Sequence, residues 1–220
     1  MQSTSVATLG GTCSILVGVL YMVVGVIYLN DPGRRATNAG TLMKILERNS
    51  TLRLLFHLVM AVTAVCALGA VPAISALADS GNDGWLRLAT TVAYIGFAAM
   101  AIENFRALQI LPPLVRDYTS ADEATKVALA RSVSLISLDP HGWLIYGGVG
   151  FWFFVVNVIA LQRGLWPTSL AIVGLVGAVL YWMLVVGALF HKGKILLLVA
   201  GLGGLILGPI WYIWVGLIVR

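Results

Sequence analysis

The sequence predicts an all-α, polytopic membrane helix bundle with six transmembrane helices. Hydrophobic residues make up 60% of the 220-residue chain, charged residues make up 10%, and the mean hydropathy is +0.95. Soluble domains carry about 25% charged residues. A soluble fold of this length has too little interior for so much apolar surface, so lipid must be part of the solvent.

Six apolar runs carry this prediction, because spanning the hydrocarbon takes about 20 mainly apolar residues. Charged, proline or glycine-rich stretches separate the runs: NDPGRR, DSGNDG, LPP, QRGLWP and HKGK. We predict one integral membrane domain over residues 1–220. Its transmembrane helices are expected at roughly 10–29, 53–78, 86–111, 142–161, 167–190 and 195–218.

The basic residues predict the orientation. Of the fourteen Lys and Arg residues, only Arg87, Arg163 and Arg220 lie outside the regions in or beside loops 1, 3 and 5. Cytoplasmic loops carry an excess of Lys and Arg. We therefore predict a multi-pass protein of the cell (inner) membrane, with loops 1, 3 and 5 cytoplasmic and both termini outside. The same rule accounts for the net charge of +5, and we predict no nucleic-acid partner.

Loop 3 is expected to contain a short helix at the membrane interface. Ser120 and Glu123 fit a capping box, with Ser120 as the N-cap. The apolar residues that follow, from Val127 to Leu135, alternate with Lys126 and Arg131. An interfacial helix between the third and fourth spans has this pattern.

Aromatic and small residues give further expectations. We expect an aromatic belt at the outer interface, formed by Trp85, Trp166, Trp211, Tyr212 and Trp214. Gly204 and Gly208 have GxxxG spacing, which lets helices approach closely. Pro209 lacks a backbone donor and should kink the last helix.

The third apolar run contains the only carboxylate predicted inside the membrane. Glu103 and Arg106 are three residues apart, hence on one helical face, and Asn104 lies between them. Intramembrane ionisable residues are functional hypotheses by default. The alternative is a structural ion pair that ties this helix to its neighbours.

The predicted topology brings further polar residues to the same side. His57 lies one turn into the second span, His141 opens the fourth and His191 closes the fifth. We expect a polar pocket facing the cytoplasm, and its candidate ligand or ion-binding residues are Glu103, Arg106, His57, Asn104 and His141. Histidines at helix ends also bond to backbone or lipid headgroups, and that alternative stays open.

Cofactor and enzyme motifs do not emerge. Only His57 lies clearly within a helix, which disfavours the facing histidines that haem requires. The patterns HExxH, GxSxG and Walker A are absent. Cys13 and Cys66 lie in apolar runs without CxxC spacing, so we expect buried thiols. We predict no cofactor and no metal site, and we disfavour catalysis.

The overall layout resembles an uncharacterised family of bacterial and archaeal six-helix membrane proteins, grouped as a domain of unknown function. The resemblance rests on SILVGVLYMVVGVIYL, FHLVMAVTAV, the Arg- and Gln-containing third helix and the ending LGPIWYIWVGLIVR. It implies a six-helix bundle over nearly the whole chain and transfers no functional residue.

Function is therefore predicted by class. Short loops leave no soluble domain for independent catalysis, which favours an accessory or assembly subunit or a small-molecule-binding membrane protein. The second hypothesis is a small secondary transporter with Glu103 as its proton or cation site, and the third is an intramembrane enzyme. Expected partners are the lipid bilayer and either further copies of the chain or a larger membrane complex.

Overall fold

The computed structural model describes residues 6–36, 38–81, 83–190 and 192–220, and these residues form helices and loops without strands. The α-helices are α1 Val6–Asn30, α2 Ala39–Arg48, α3 Thr51–Ala78, α4 Gly84–Ser120, α5 Glu123–Ser132, α6 Val149–Arg163, α7 Thr168–Leu189, α8 Gly193–Val199 and α9 Gly208–Val219. Two π-helical segments occur, Trp143–Gly148 before α6 and Ala200–Leu207 between α8 and α9.

Within these described residues, six helical stretches are long and apolar enough to cross a membrane. They are α1, α3, α4, α7, the stretch Trp143–Arg163 and the stretch Leu196–Val219. Each contains most of one predicted run. The prediction of an all-α bundle with six spans is confirmed, and the chain is a membrane protein.

The spanning helices pack largely in chain order, and α9 closes the bundle against α1. The core between them is aromatic: Trp152, Phe153, Trp211 and Tyr212 are at most 1% exposed. The predicted outer belt is thus wrong for Trp211 and Tyr212, which lie on the inward face of α9, and for Trp166, which is buried just before α7. Trp85, at 69% exposure, stays on the surface.

Helix α4 continues through Pro112 and Pro113, where the sequence predicted its end. At 1.5 Å per residue it is about 55 Å long, well beyond the hydrocarbon thickness of about 30 Å. Both prolines are exposed, while Leu111 and Leu114 of the same turn are buried. Packing on the buried face therefore holds the helix together where two backbone donors are missing.

A second hydrophobic cluster forms around this extension of α4. It joins Met43 and Leu46 of α2 to Leu111, Leu114 and Tyr118 of α4. Ala107 of α4, Ala130 of α5 and Ile136 also belong to it. We call this end of the bundle, with the described residues 28–36, 38–57, 103–146, 181–190 and 192–194, the basic end. Residues 75–81, 83–91 and 157–170 lie at the opposite end.

The short helix predicted in loop 3 is confirmed as α5, but its predicted cap is wrong. Ser120 belongs to the last turn of α4, so it cannot have the non-helical backbone that an N-cap needs. Asp122 has an extended backbone, and its carboxylate accepts from the Thr125 N–H at 2.7 Å.

The irregularity predicted at Gly208 and Pro209 extends toward the N-terminus of that span. The Gly208 N–H donates to the carbonyl of Gly203, five residues earlier, at the end of the π-helical segment Ala200–Leu207. The missing donor of Pro209 is thus accommodated by widening the preceding turns rather than by a single break.

Candidate functional site

Glu103, on the half-buried flank of α4, is bound by the segment that leads into the fourth span. Its Oε2 accepts from the Ser137 hydroxyl at 3.0 Å, from the Leu138 N–H at 2.9 Å and from the Asp139 N–H at 3.4 Å. Three donors on one oxygen fix the side chain, and its Oε1 has no hydrogen-bond partner among the described residues.

The structural ion pair between Glu103 and Arg106, which the sequence left open as an alternative, does not form. The ion pairs found in the described part of the chain are Asp31–Arg53, Glu123–Lys126 and Asp83–Arg163. Spacing of three residues places two side chains on one helical face but does not orient them. Here the donors of residues 137–139 hold the carboxylate, and Arg106 is half-buried without an ion pair in the same described ranges.

His57 of α3 and Asn104 of α4, two of the candidate residues, are joined by a hydrogen bond. His57 Nδ1 lies 2.8 Å from Asn104 Oδ1, and Asn104 Nδ2 donates to the Met100 carbonyl at 2.8 Å. Because the amide nitrogen is needed for that carbonyl, the amide oxygen faces His57 and Nδ1 must donate. In the neutral imidazole this leaves Nε2 as an acceptor.

Asp139 fixes the start of the fourth span. Its carboxylate accepts from three successive backbone N–H groups, those of Trp143, Leu144 and Ile145, at 2.7–2.9 Å. These are orphan donors of the first turn. The turn carries Tyr146, which comes within electrostatic range of both Glu103 and Asp139.

A second polar contact braces the basic end. Asp31, at 3% exposure, pairs with Arg53 at 2.9 Å, and its Oδ1 accepts from the Gly33 N–H at 2.7 Å. Both residues lie within electrostatic range of His57, as does Glu103. The sequence analysis did not identify this pair, although Asp31 precedes Pro32 and Gly33, a turn that an aspartate caps.

The structure thus brings together only some of the five candidate residues. The structure brings together His57, Asn104 and Glu103, while Arg106 stands one turn further along α4. His141 is exposed on the loop before the π-helical turn. His191, expected on the same side, lies outside the described residues. Tyr146, which was not among the candidate residues, joins the group.

Other features do not overlap with this group. The described residues contain no cluster of three or more His, Cys, Asp or Glu side chains arranged for a metal ion. A groove of about 610 Å³ between α1 and α9 is lined by apolar side chains such as Ile210 and Trp214. A groove of about 360 Å³ opens at the opposite end, beside Ser75, Arg87 and Thr90.

The fold and the polar side chains described above define a multi-pass helical membrane protein with a polar cluster at one end of the bundle. The chain belongs to the family described as domain of unknown function (DUF4386), whose model matches residues 9–217. The resemblance stated from the sequence is thereby confirmed. No curated protein and no solved structure matches the chain.

Proposed function

We propose that this protein binds a small polar or amphiphilic molecule at the basic end, where Glu103, His57 and Tyr146 contact it. One observation carries the proposal. Glu103 Oε1, His57 Nε2 and the Tyr146 hydroxyl belong to three different spans, and no described residue pairs with any of them. Polar atoms held in place by their neighbours but left without partners are typical of a binding site.

The unpaired atoms favour a particular ligand chemistry. Glu103 Oε1 and a neutral His57 Nε2 both accept hydrogen bonds, so the ligand should present donors to them, as an amine or a polyol does. Arg106 is half-buried one turn away and offers a cationic contact to an acidic group. Under the orientation that the basic loops favour, this site faces the cytoplasm.

The same geometry favours binding over transport. A secondary transporter that used Glu103 as its proton or cation site would have to change the surroundings of this carboxylate in every cycle. Three donors from residues 137–139 already hold it, and they also anchor the entry to the fourth span. An accessory subunit in a larger complex is a further alternative, and it predicts foreign subunits.

The test is native mass spectrometry of the protein extracted from its own membranes in mild detergent. Wild type should carry a non-lipid adduct on the 23.5 kDa chain. Glu103→Gln keeps an acceptor for the donors of residues 137–139, so it should stay folded and lose the adduct. The exposed His141→Gln is the matched control and should keep it.

Three outcomes contradict the proposal. A wild-type chain with lipid alone means that no ligand is held. An adduct that survives Glu103→Gln means that the ligand lies elsewhere. Co-purified foreign subunits without an adduct mean that the protein is an accessory component.

A further inference from the structure

The groove at the opposite end of the bundle, between α3 and α4, has a charged rim. Its volume of about 360 Å³ lies within the range of about 300–1,000 Å³ that is usual for small-molecule sites. Asp79 and Arg87 line the rim, where α3 ends at Ala78 and α4 begins at Gly84. Trp85, at 69% exposure, lies in the same first turn of α4. Because tryptophan is enriched where spanning helices reach the lipid headgroups, the rim lies at the membrane surface.

Gly81 holds both charges of the rim. Its N–H donates to Asp79 Oδ1, and its carbonyl accepts from Arg87 Nη2, each at 2.8 Å. The φ angle of Gly81 is 92°, a left-handed conformation that favours glycine. Within the described ranges, no ion pair joins Asp79 to Arg87. The rim therefore presents an anion and a cation side by side, and Asp79 Oδ2 and the Arg87 Nη1 group have no partner among the described residues.

The wall of the groove becomes less polar with depth. Ser75 and Pro72 precede Asp79 by four and seven residues, so they lie about 6 and 10 Å deeper along α3. Ser75 Oγ lies 2.8 Å from Thr90 Oγ1 and accepts from the Trp152 indole at 2.9 Å. The groove thus offers charges, then hydroxyl oxygens, then the apolar ring of Pro72. A phospholipid has the same order of headgroup, glycerol ester and acyl chain.

We propose that this groove binds a zwitterionic phospholipid with a primary amine, as in phosphatidylethanolamine. The ammonium group donates to Asp79 and the phosphate accepts from Arg87, so that both charges of the rim are paired at once. Phosphatidylglycerol has no cation for Asp79, and the choline group of phosphatidylcholine has no N–H to donate. An acyl chain covers the wall at Pro72. Glu103 lies at the basic end, so this inference does not depend on the proposed function.

The ligand class is tested by titrating the delipidated full chain with single lipids and counting the bound lipids by native mass spectrometry. The first equivalent of phosphatidylethanolamine should bind roughly ten-fold tighter than phosphatidylglycerol or phosphatidylcholine with the same acyl chains, the size expected for one charge-assisted hydrogen bond. Equal affinities for the three lipids would overturn the proposal. Glycerophosphoethanolamine, which has the headgroup without chains, should bind much more weakly than the lipid. Equal binding would mean that the ligand is a soluble zwitterion and not a lipid.

Two variants test the position of the site. Asp79→Asn should bind phosphatidylethanolamine and phosphatidylglycerol with similar affinities, because it removes the partner of the ammonium group. Arg87→Gln should weaken the binding of both lipids roughly ten-fold. Arg220→Gln is the matched control, since Arg220 is an exposed cation that does not line the groove.

An Arg87→Gln chain that binds these lipids as Arg220→Gln does would mean that the lipid lies elsewhere, which contradicts the proposal. If either groove variant does not fold, the comparison of the three headgroups on the wild-type chain decides.

Discussion

At the scale of single residues, the pairing of His57 with Asn104 links α3 to α4 beside the candidate site. Asn104 is 7% exposed, and its two polar atoms are both used, one by His57 and one by the Met100 carbonyl. The bond therefore sets which imidazole nitrogen faces the site. It also makes His57 a structural residue and a candidate ligand contact at once.

Replacing His57 with Leu should destabilise the protein by about 1–3 kcal/mol, because Asn104 Oδ1 is then buried without a donor. His141→Leu removes an exposed histidine and should change stability by less than about 0.5 kcal/mol. Unfolding free energies in mixed micelles compare the two variants. Equal stabilities would mean that the bond between His57 and Asn104 contributes nothing measurable.

At the scale of elements, the carboxylates of Glu103 and Asp139 fix the path of the chain into the fourth span. Glu103 holds residues 137–139, and Asp139 then caps the turn that begins at Trp143. The position of Tyr146 at the candidate site depends on both contacts. The π-helical geometry of that turn is consistent with a functional role, since such turns are frequent at functional sites.

Asp139→Ala should cost about 1–2 kcal/mol, the usual loss for a cap residue. Hydrogen exchange should speed up first at residues 143–146, whose N–H groups lose their acceptor. Asp117→Ala, an exposed aspartate late in α4, is the control and should leave those residues protected. Unchanged exchange at 143–146 in Asp139→Ala would contradict the capping role.

The cap of α5 gives a pH dependence. The backbone N–H of Thr125, with help from its hydroxyl, lowers the pKa of Asp122 below its ordinary value of 3.8. A carboxyl whose folded pKa is depressed stabilises the fold above its unfolded pKa and loses that contribution as the pH falls through the folded value. The hydrogen-exchange protection of residues 125–126, corrected for intrinsic exchange, should therefore decrease in wild type as the pH is lowered below 3.8. Asp122→Asn should show no such fall.

At the scale of the whole molecule, the bundle is closed by the close approach of α1 and α9. A Cβ added at Gly216 would lie 2.7 Å from the Gly11 carbonyl and 3.0 Å from the Ile15 nitrogen. Backbone atoms cannot move aside as a side chain can. This contact, rather than the GxxxG pair Gly204 and Gly208, brings two helices together.

Gly216→Ala should therefore destabilise the protein by about 1–3 kcal/mol, the usual cost of overpacking. A Cβ at Gly204 meets nothing within 4 Å, so Gly204→Ala is the matched control and should be close to neutral. Thermal unfolding of the two variants in detergent measures the difference. A larger loss for Gly204→Ala would mean that α9 packs differently.

The sequence predicted the architecture well because it depends on hydropathy, which is summed over about 20 residues and tolerates local error. Of the expectations about single residues, some were correct and others were wrong. Proximity of His57 to Asn104 and Glu103 followed from topology alone. The donors that hold Glu103 come from residues 137–139, 34 positions away at the nearest, and no local spacing reveals such a contact. The end of α4 was predicted too early, at Pro112, for the same reason. Packing against α2 and α5 decides where α4 ends.

The most direct test of the central claim is a high-resolution cryo-electron microscopy map of the protein from its own membranes, with an antibody fragment bound at the opposite end. We predict non-protein density within hydrogen-bonding distance of Glu103 Oε1, His57 Nε2 and the Tyr146 hydroxyl. A map in which Arg106 pairs with Glu103, leaving no density beside His57, would contradict a binding site at the basic end.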